Sequence, residues 1–339
     1  FCERTRVPSM ERMLFVGHRG AKAELPENTL RSIKRAFERG AAGAEFDLQR
    51  SADDALVVLH DDTLQRTAKF QAWSSTMPNS SSYENEAEYL SLLSTPVDQL
   101  PLSKINSVIV GNEDTDTAAL LFDALKVLHE ATNNAALQMK AAASDLSRAA
   151  EDPLSRQQVS ASLYPQPFFL AELKGGDIRC VPLAAQVILE ACGDFGESKG
   201  GSGRDAVEVA APLGGLRREQ IKWIGFDIEV MKEAKRLMPL HESYHVSHPF
   251  TVESALEIID EASEAGLDGV DFFATPDAVT KEVVATAHAK GLKVIVWEWG
   301  RYPDSDLPER WGAMASNGVD IFTSSMPAAL NEWSMEQKP

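Results

Sequence analysis

The sequence has no uninterrupted run of about 18 apolar residues, so we expect no membrane-spanning helix. It also has only three cysteines, Cys2, Cys180 and Cys192, which cannot all pair with one another and form no CxxC motif. This argues against a disulfide framework and a thiolate zinc site, and favours reduced thiols in an intracellular protein. The start of the chain lacks an initiator methionine and the apolar core of a secretory signal, so we expect a processed or truncated end.

Positive charge is scarce. Lys and Arg total 33 against 51 Asp and Glu, which gives a formal net charge of −18 over 339 residues. A field of that sign repels polyanions, so we expect no nucleic acid partner. An anionic substrate would require cations gathered at its binding site. No sequence pattern indicates an oligomeric state.

Short apolar runs alternate with amphipathic segments over most of the chain. We predict strands at 13–16, 43–50, 168–173, 221–226, 244–247, 269–273, 293–297 and 319–323. Eight strands separated by helical sequence are typical of a parallel (β/α)₈ TIM barrel of the α/β class. We therefore expect one barrel domain over residues 12–330. One helix is predicted to have Thr275 as its N-cap, Pro276 in its first turn and Gly291 at its end.

Two segments interrupt this alternation. Residues 68–165 are predicted to be an insertion after the second barrel strand, loop-rich over 68–117 and helical over 118–165. Residues 194–218 include Gly200-Gly201-Ser202-Gly203, which no strand immediately precedes, so a mobile surface loop is favoured over a phosphate cradle. A barrel with insertions accounts for the length of the chain.

Ionisable side chains collect where the predicted strands end, which is where parallel barrels carry their functional residues. Glu45 and Asp47 alternate along one face of the second strand, and Glu172 and Lys174 repeat this spacing on the third. Neighbouring carboxylates repel unless a cation lies between them, and oxygen ligands favour Mg²⁺ or Ca²⁺. His18 and His60 follow neighbouring elements and could be structural or could act as acid and base.

Several motifs occur in an order that resembles the glycerophosphodiester phosphodiesterase family. They are His18-Arg19-Gly20, Pro26-Glu27-Asn28-Thr29, Glu45-x-Asp47, His60-Asp61 with Leu64-x-Arg66-Thr67, and Glu172-Leu173-Lys174. Weaker similarities, including Trp297, continue to about residue 330.

This resemblance implies a metal-dependent barrel that cleaves a small glycerophosphodiester to sn-glycerol 3-phosphate and an alcohol. Its metal ligands would be Glu45, Asp47 and Glu172. His18 and His60 would be the general acid and base, and the phosphate or substrate would be bound by Arg19, Lys174 and Trp297. In such enzymes the glycerol 2-hydroxyl is thought to attack phosphorus, giving a cyclic phosphate that water then opens.

Some positions depart from the family pattern and allow more than one interpretation. Glu298 is a charge where the family rarely has one, and it would either select a cationic headgroup such as choline or face solvent. Gln138, in Leu137-Gln138-Met139-Lys140, is a second candidate for the position that we assign to Glu172. We prefer Glu172 because Phe168-Phe169-Leu170 is typical of a buried strand, whereas residues 135–150 are typical of a continuous helix.

Other functions are compatible with parts of the sequence. A lysophospholipase D would need an apolar path to the site, which Phe70, Trp73 and Tyr83 in the insertion could supply. The Glu45-x-Asp47 pair argues against a phosphatidylinositol-specific phospholipase C, and the full set of ionisable residues argues against an inactive phosphoester-binding barrel. His241, His245 and His248 have spacings that could bind a metal on a helix. A strand is predicted there instead, which leaves only His248 as a candidate substrate contact.

Overall fold

The computed structural model describes residues 13–112, 116–149, 166–193, 212–298 and 306–337. Eight parallel strands form a closed barrel, because the first pairs with both the second and the last. These strands are β1 (Leu14–Gly17), β2 (Gly43–Arg50), β5 (Phe168–Leu173), β6 (Ile221–Gly225), β7 (Ser243–Ser247), β8 (Gly269–Phe273), β9 (Lys293–Trp297) and β10 (Ile321–Ser324). The predicted TIM barrel is confirmed, and every predicted barrel strand lies within two residues of its observed bounds.

Helices alternate with the barrel strands and cover them. They are α1 (Leu30–Glu38), α4 (Leu121–Ala149), α5 (Cys180–Cys192), α6 (Ile228–Leu237), α7 (Val252–Glu264), α8 (Lys281–Ala289), α9 (Pro308–Asn317) and α10 (Pro327–Gln337). In α1, the Thr29 side chain caps the first turn by accepting a hydrogen bond from the backbone N–H of Ser32, and Ile33 and Ala36 face the barrel. None of the helices in the described ranges is long and apolar enough to cross a membrane.

The strand sequences explain why polar groups gather at one end of the barrel. Residues such as Val16, Leu170, Tyr244 and Ile295 fill the barrel interior in one buried cluster. Residues of opposite parity, such as Phe46, pack outward against the helices in a second, larger cluster. Because alternate residues of a barrel strand face the interior, β2 also points Glu45 and Asp47 inward, towards the carboxyl ends of the strands.

The segment after β2 has two parts with different places in the fold. A short antiparallel pair, β3 (Leu56–Val58) and β4 (Ala119–Leu120), extends from the far end of β2. Between them lie α2 (Glu86–Ser94) and α3 (Leu102–Ile105), whose side chains share a hydrophobic core of their own. Helix α4 instead packs between α1 and α5, so the helical part of segment 68–165 contributes the barrel helix that follows β2.

The predicted start of the helix before β9 is wrong. Thr275 and Pro276 lie in a turn, and α8 begins after Thr280, whose side chain accepts a hydrogen bond from the backbone N–H of Val283. Both threonines suit an N-cap, and the packing of Val283 and Val284 selects the later one. The predicted mobile loop at Gly200-Gly201-Ser202-Gly203 lies outside the described residues, as does Cys2. Cys180 is a buried free thiol.

Candidate active site

Three carboxylates meet inside the barrel at the carboxyl ends of β2 and β5. Asp47 and Glu172 are register partners on these paired strands, and Glu45 lies one pleat earlier on β2. One oxygen from each of the three lies within 4.8 Å of the others, and all three residues are buried. The structure thus brings together the three acids predicted as metal ligands.

These carboxylates differ in their protonation behaviour. Burial opposes ionisation of Asp47, but the charges of Arg19 and Lys174 outweigh it and lower its pKa to about 2. Burial and the charge of Asp47 raise the pKa of Glu45, and they raise that of Glu172 to about 7. Three buried acids that resist joint ionisation, with oxygen donors only, match the requirements of a hard divalent cation.

Two basic side chains adjoin the carboxylates. Nζ of Lys174 lies 2.8 Å from Glu172 and 3.6 Å from Asp47. Nε of Arg19 lies 3.5 Å from Asp47 and is buried without a hydrogen-bond partner among the described residues. The Arg19 side chain is held instead by Nη1, which donates to Glu27 at 2.9 Å. The Arg19 guanidinium is therefore fixed between Glu27 and Asp47, beside the carboxylate trio.

The loop after β1 holds Arg19 in an unusual backbone conformation. Arg19 has φ of 52° and Gly20 has φ of 80°, both in the left-handed region. The Arg19 N–H donates to a carboxylate oxygen of Glu45 at 2.7 Å, so this conformation serves the site. Gly20 packs against the Ser32 backbone of α1, where a Cβ would lie 2.3 Å from the carbonyl carbon.

Asn28 is a further residue of the site, to which the sequence assigned no role. Its Nδ2 donates to Asp47 at 2.8 Å, and its Oδ1 accepts from the Asp47 N–H at 3.3 Å. With both ends of the amide bonded to one residue, Asn28 fixes the orientation of the Asp47 carboxylate. Its place in the Pro-Glu-Asn-Thr motif was the signal that could have identified it.

His18 lies at the end of β1 beside the carboxylates. Its Nε2 is 3.9 Å from Glu45, and its Nδ1 lies 2.8 Å from Glu298 and 2.9 Å from Nζ of Lys22. Burial and the charge of Lys22 lower its pKa to about 4, although Glu298 opposes the shift. The imidazole is therefore neutral near neutral pH.

His60 occupies a more open position after β3. Its Nδ1 lies 2.7 Å from Asp61, and its side chain is 31% exposed. Arg66 donates to both Asp61 and Glu27, each at 2.6 Å, so a chain of ion pairs connects His60 to Arg19. Burial lowers the pKa of His60, while the charge of Asp47 opposes this. Both predicted histidines thus lie close enough to the acids to interact with them.

Aromatic rings form one wall of the site. Trp297 meets His18 edge to face, with ring centroids 6.2 Å apart. His248 stacks on the half-exposed ring of Phe226 at 5.3 Å and contacts Trp297 at 5.0 Å. Trp297 and His248 therefore lie at the barrel mouth, where they were predicted to contact substrate.

The environment of Glu298 contradicts both sequence interpretations. Its side chain is only 2% exposed, which excludes a solvent-facing role, and its partners are protein groups, which excludes a free charge offered to a headgroup. It binds His18 and Lys22 inside the protein. The sequence singled out Glu298 as a charge that the family rarely has at this position. Nothing in the sequence indicated a role for Lys22 except its place four residues after His18.

Gln138, the aromatic residues of the insertion and His245 all lie away from the three carboxylates. Gln138 is exposed on α4, far from the barrel interior, so the preference for Glu172 is supported. Tyr83 is buried and donates to Ser107, and Phe70 and Trp73 pack against the same core of the insertion. These aromatics belong to the core of the insertion or pack against it. His245 is buried on β7, 3.3 Å from the Phe226 carbonyl oxygen, and belongs to no group of three or more potential metal ligands among the described residues.

Comparisons with known proteins agree with this geometry. A sequence model of the glycerophosphoryl diester phosphodiesterase family matches residues 18–153, which include His18, Glu45, Asp47 and His60. A glycerophosphodiester phosphodiesterase of Caldanaerobacter subterraneus is 50% identical over 54 residues, which are 16% of this chain and 22% of that protein. Glycerophosphodiester phosphodiesterase 1 of Bos taurus is 46% identical over 57 residues, which are 17% of each protein. The aligned stretches thus span less than a quarter of these curated relatives.

Solved structures share the fold over nearly the whole chain. An Oleispira antarctica phosphodiesterase, solved with the product sn-glycerol-3-phosphate, has a TM-score of 0.62 at 16% identity and covers 96% of this chain and 97% of its own. A glycerophosphodiester phosphodiesterase of Thermotoga maritima has a TM-score of 0.55 at 16% identity, covering 94% and 97%. The motif region, the curated relatives and the barrel thus all indicate the glycerophosphoryl diester phosphodiesterase family.

Proposed function

We propose that this protein hydrolyses small glycerophosphodiesters to sn-glycerol 3-phosphate and an alcohol with the help of a divalent cation. The observation that carries the proposal is the trio of buried carboxylates, flanked by two histidines and two basic side chains at one end of the barrel. The family match and the product named for the Oleispira phosphodiesterase support the same reaction class.

Glu45, Asp47 and Glu172 would hold the cation, which we expect to be Mg²⁺ or Ca²⁺. When bound, the cation would supply charge neutralisation at the phosphoryl oxygens. Arg19 and Lys174 would bind the substrate phosphate, because both are cationic side chains held beside the proposed metal ligands. The pocket would then be locally positive, although the whole chain carries a net charge of −18.

The two histidines would divide the proton transfers. Burial lowers the pKa of His18 to about 4, so the ring is neutral near neutral pH and its Nε2 can accept a proton as the general base. His60 is 31% exposed, and although burial lowers its pKa, it lies 2.7 Å from Asp61, whose negative charge favours the protonated ring. His60 therefore fits the general acid that protonates the leaving group. Trp297 would pack against the apolar face of the substrate.

A release assay tests this proposal. Purified protein should liberate sn-glycerol 3-phosphate from glycerophosphocholine or glycerophosphoinositol, and a chelator should abolish turnover until Mg²⁺ or Ca²⁺ is restored. Activity that persists without a divalent cation would disprove the metal assignment, and turnover of lysophosphatidylcholine alone would assign the protein to lipid substrates instead.

Histidine variants test the assignment of the acid and base. His18→Ala and His60→Ala should each reduce turnover by on the order of 100-fold or more while leaving the protein folded. His288→Ala is the matched control, because His288 is paired with Asp320 on the outer surface of the barrel. Unfolding of the His18 and His60 variants would instead show that these histidines are structural.

A further inference from the structure

A buried ionic group lies behind His18, on the side of the ring that faces away from the three carboxylates. Glu298, which follows β9, is its centre. Its Oε1 lies 2.8 Å from Nδ1 of His18 and 2.8 Å from Nζ of Lys22, and the Ser325 hydroxyl donates to the same oxygen. Glu298 is thus a fully partnered charge, connected directly to a proposed catalytic ring.

The chemistry of these groups selects one arrangement of protons. A carboxylate can only accept a hydrogen bond and an ammonium can only donate one, so the neutral Nδ1 can satisfy Glu298 or Lys22 but not both. With hydrogen on Nδ1, the ring donates to Glu298, and Lys22 donates to the same carboxylate. With hydrogen on Nε2, the lone pair of Nδ1 would face the Glu298 carboxylate at 2.8 Å, which is repulsive. The first arrangement leaves Lys22 2.9 Å from a ring N–H, but the ammonium donates to Glu298 instead, so the two donors share one acceptor.

We propose that Glu298 is a positioning residue that holds His18 as the Nδ1–H tautomer and aims the lone pair of Nε2 at the carboxylate trio. Lys22 neutralises Glu298, so the ring stays uncharged until Nε2 takes a proton, and Glu298 then stabilises the imidazolium. A carboxylate that accepts from the second ring nitrogen commonly fixes a catalytic histidine in this way. The kinetic consequence rests on the proposed function, whereas the tautomer does not.

Nitrogen-15 NMR of the histidine side chains tests the tautomer without any substrate. The sequence has seven histidines, and loss of one signal in His18→Ala assigns the ring. The intact protein should show the Nδ1–H pattern for His18. Glu298→Leu, which removes the acceptor, should convert His18 to the Nε2–H tautomer, because Lys22 is then the remaining partner of Nδ1. An Nε2–H pattern in the intact protein, or no change in Glu298→Leu, overturns the proposal.

Two further variants separate Glu298 from its neighbour. Glu298→Gln retains an acceptor oxygen and should keep the Nδ1–H pattern. Lys22→Met should also keep it, and this variant tests the same assignment even if Glu298→Leu does not fold. If Lys22→Met changes the tautomer, Lys22 rather than Glu298 determines it, and the proposal is wrong. Asp320→Asn is the matched control, since it should alter the signal of His288 alone.

Steady-state kinetics tests the functional consequence. Glu298→Leu should lower kcat by on the order of 100-fold with little change in KM, because the defect lies in proton transfer rather than in binding, and Glu298→Gln should recover part of the rate. An unchanged kcat in an active, folded Glu298→Leu variant would overturn the positioning role. If the intact protein hydrolyses no glycerophosphodiester, the proposed function fails, while the NMR result still decides the tautomer.

Discussion

Replacing Glu172 by glutamine should stabilise the protein in the absence of a divalent cation. The Glu172 carboxylate is buried beside Asp47, and its pKa is raised from 4.5 to about 7 by burial and by that neighbouring charge. The folded state therefore binds this proton more tightly than the unfolded state does. The stability that the Glu172 proton contributes is fully present below pH 4.5 and is lost as the pH rises towards 7.

The magnitude follows from the size of this shift. A difference of about 2.5 pKa units at about 1.4 kcal/mol each gives a cost of about 3 kcal/mol for ionised Glu172 above pH 7. Glutamine has nearly the same shape and no charge. Glu172→Gln should therefore raise the free energy of unfolding by about 3 kcal/mol at pH 8.5 and by only about 1 kcal/mol at pH 5.5.

Urea unfolding in the presence of a chelator measures both values. Glu242→Gln is the matched control with the opposite sign, because burial of Glu242 is outweighed by its hydrogen bonds from Lys222 and Lys293, which lower its pKa to about 2. After allowance for partial exposure, that variant should lose about 1 to 2 kcal/mol at pH 8.5. If Glu172→Gln is no more stable than the parent at pH 8.5, the three carboxylates do not repel one another as we infer.

The same variant should behave differently when a cation is added. A ligand at 100 times its dissociation constant stabilises a folded protein by about 2.7 kcal/mol. Mg²⁺ or Ca²⁺ should provide this increment to the parent protein and much less to Glu172→Gln, which would also lose activity. If the cation stabilises the parent protein and Glu172→Gln equally, then Glu172 is not one of its ligands.

Three further predictions concern the core, the loop after β1 and helix α4. Phe46→Ala should lower the free energy of unfolding by about 3 to 5 kcal/mol in urea, because the ring is fully buried and packs edge to face on Phe169 at 4.9 Å; a loss below about 1 kcal/mol would contradict this packing. Gly20→Ala should lower both thermal stability and turnover, since φ is 80° and a Cβ would lie 2.3 Å from the Ser32 carbonyl carbon; normal activity would show that this loop tolerates displacement. Gln138→Ala should change stability by less than about 0.5 kcal/mol and leave turnover unchanged; loss of activity would refute the choice of Glu172 over Gln138.

Local sequence patterns predicted the barrel because each strand and helix carries its own signal. The alternation at 43–50 and the apolar run at 168–173 correspond to β2 and β5 with no error at either end. Residues at the ends of such strands must converge at one end of a parallel barrel. The convergence of Glu45, Asp47 and Glu172 therefore followed from strand positions alone, before any contact was known.

Signals that compete within one segment were less informative. Thr275 and Thr280 are both acceptable N-caps, and only the packing of the residues after each decides between them. The aromatic residues of the insertion were equally compatible with a substrate path and with a core. Tyr83 and Trp73 belong to the core, because the insertion folds around its own hydrophobic cluster.

The sequence by itself determined the barrel and the identities of the acids, the histidines and the basic residues at its mouth. Only the tertiary structure determined which buried residues contact these side chains from within the protein. Glu298 is 280 residues from His18 in the chain, yet 2.8 Å away in the fold, because β9 and β1 both lie beside β10 in the closed barrel. No local pattern encodes that distance. Glu298, which follows Trp297 in the chain, is the buried partner of His18 because the barrel closes.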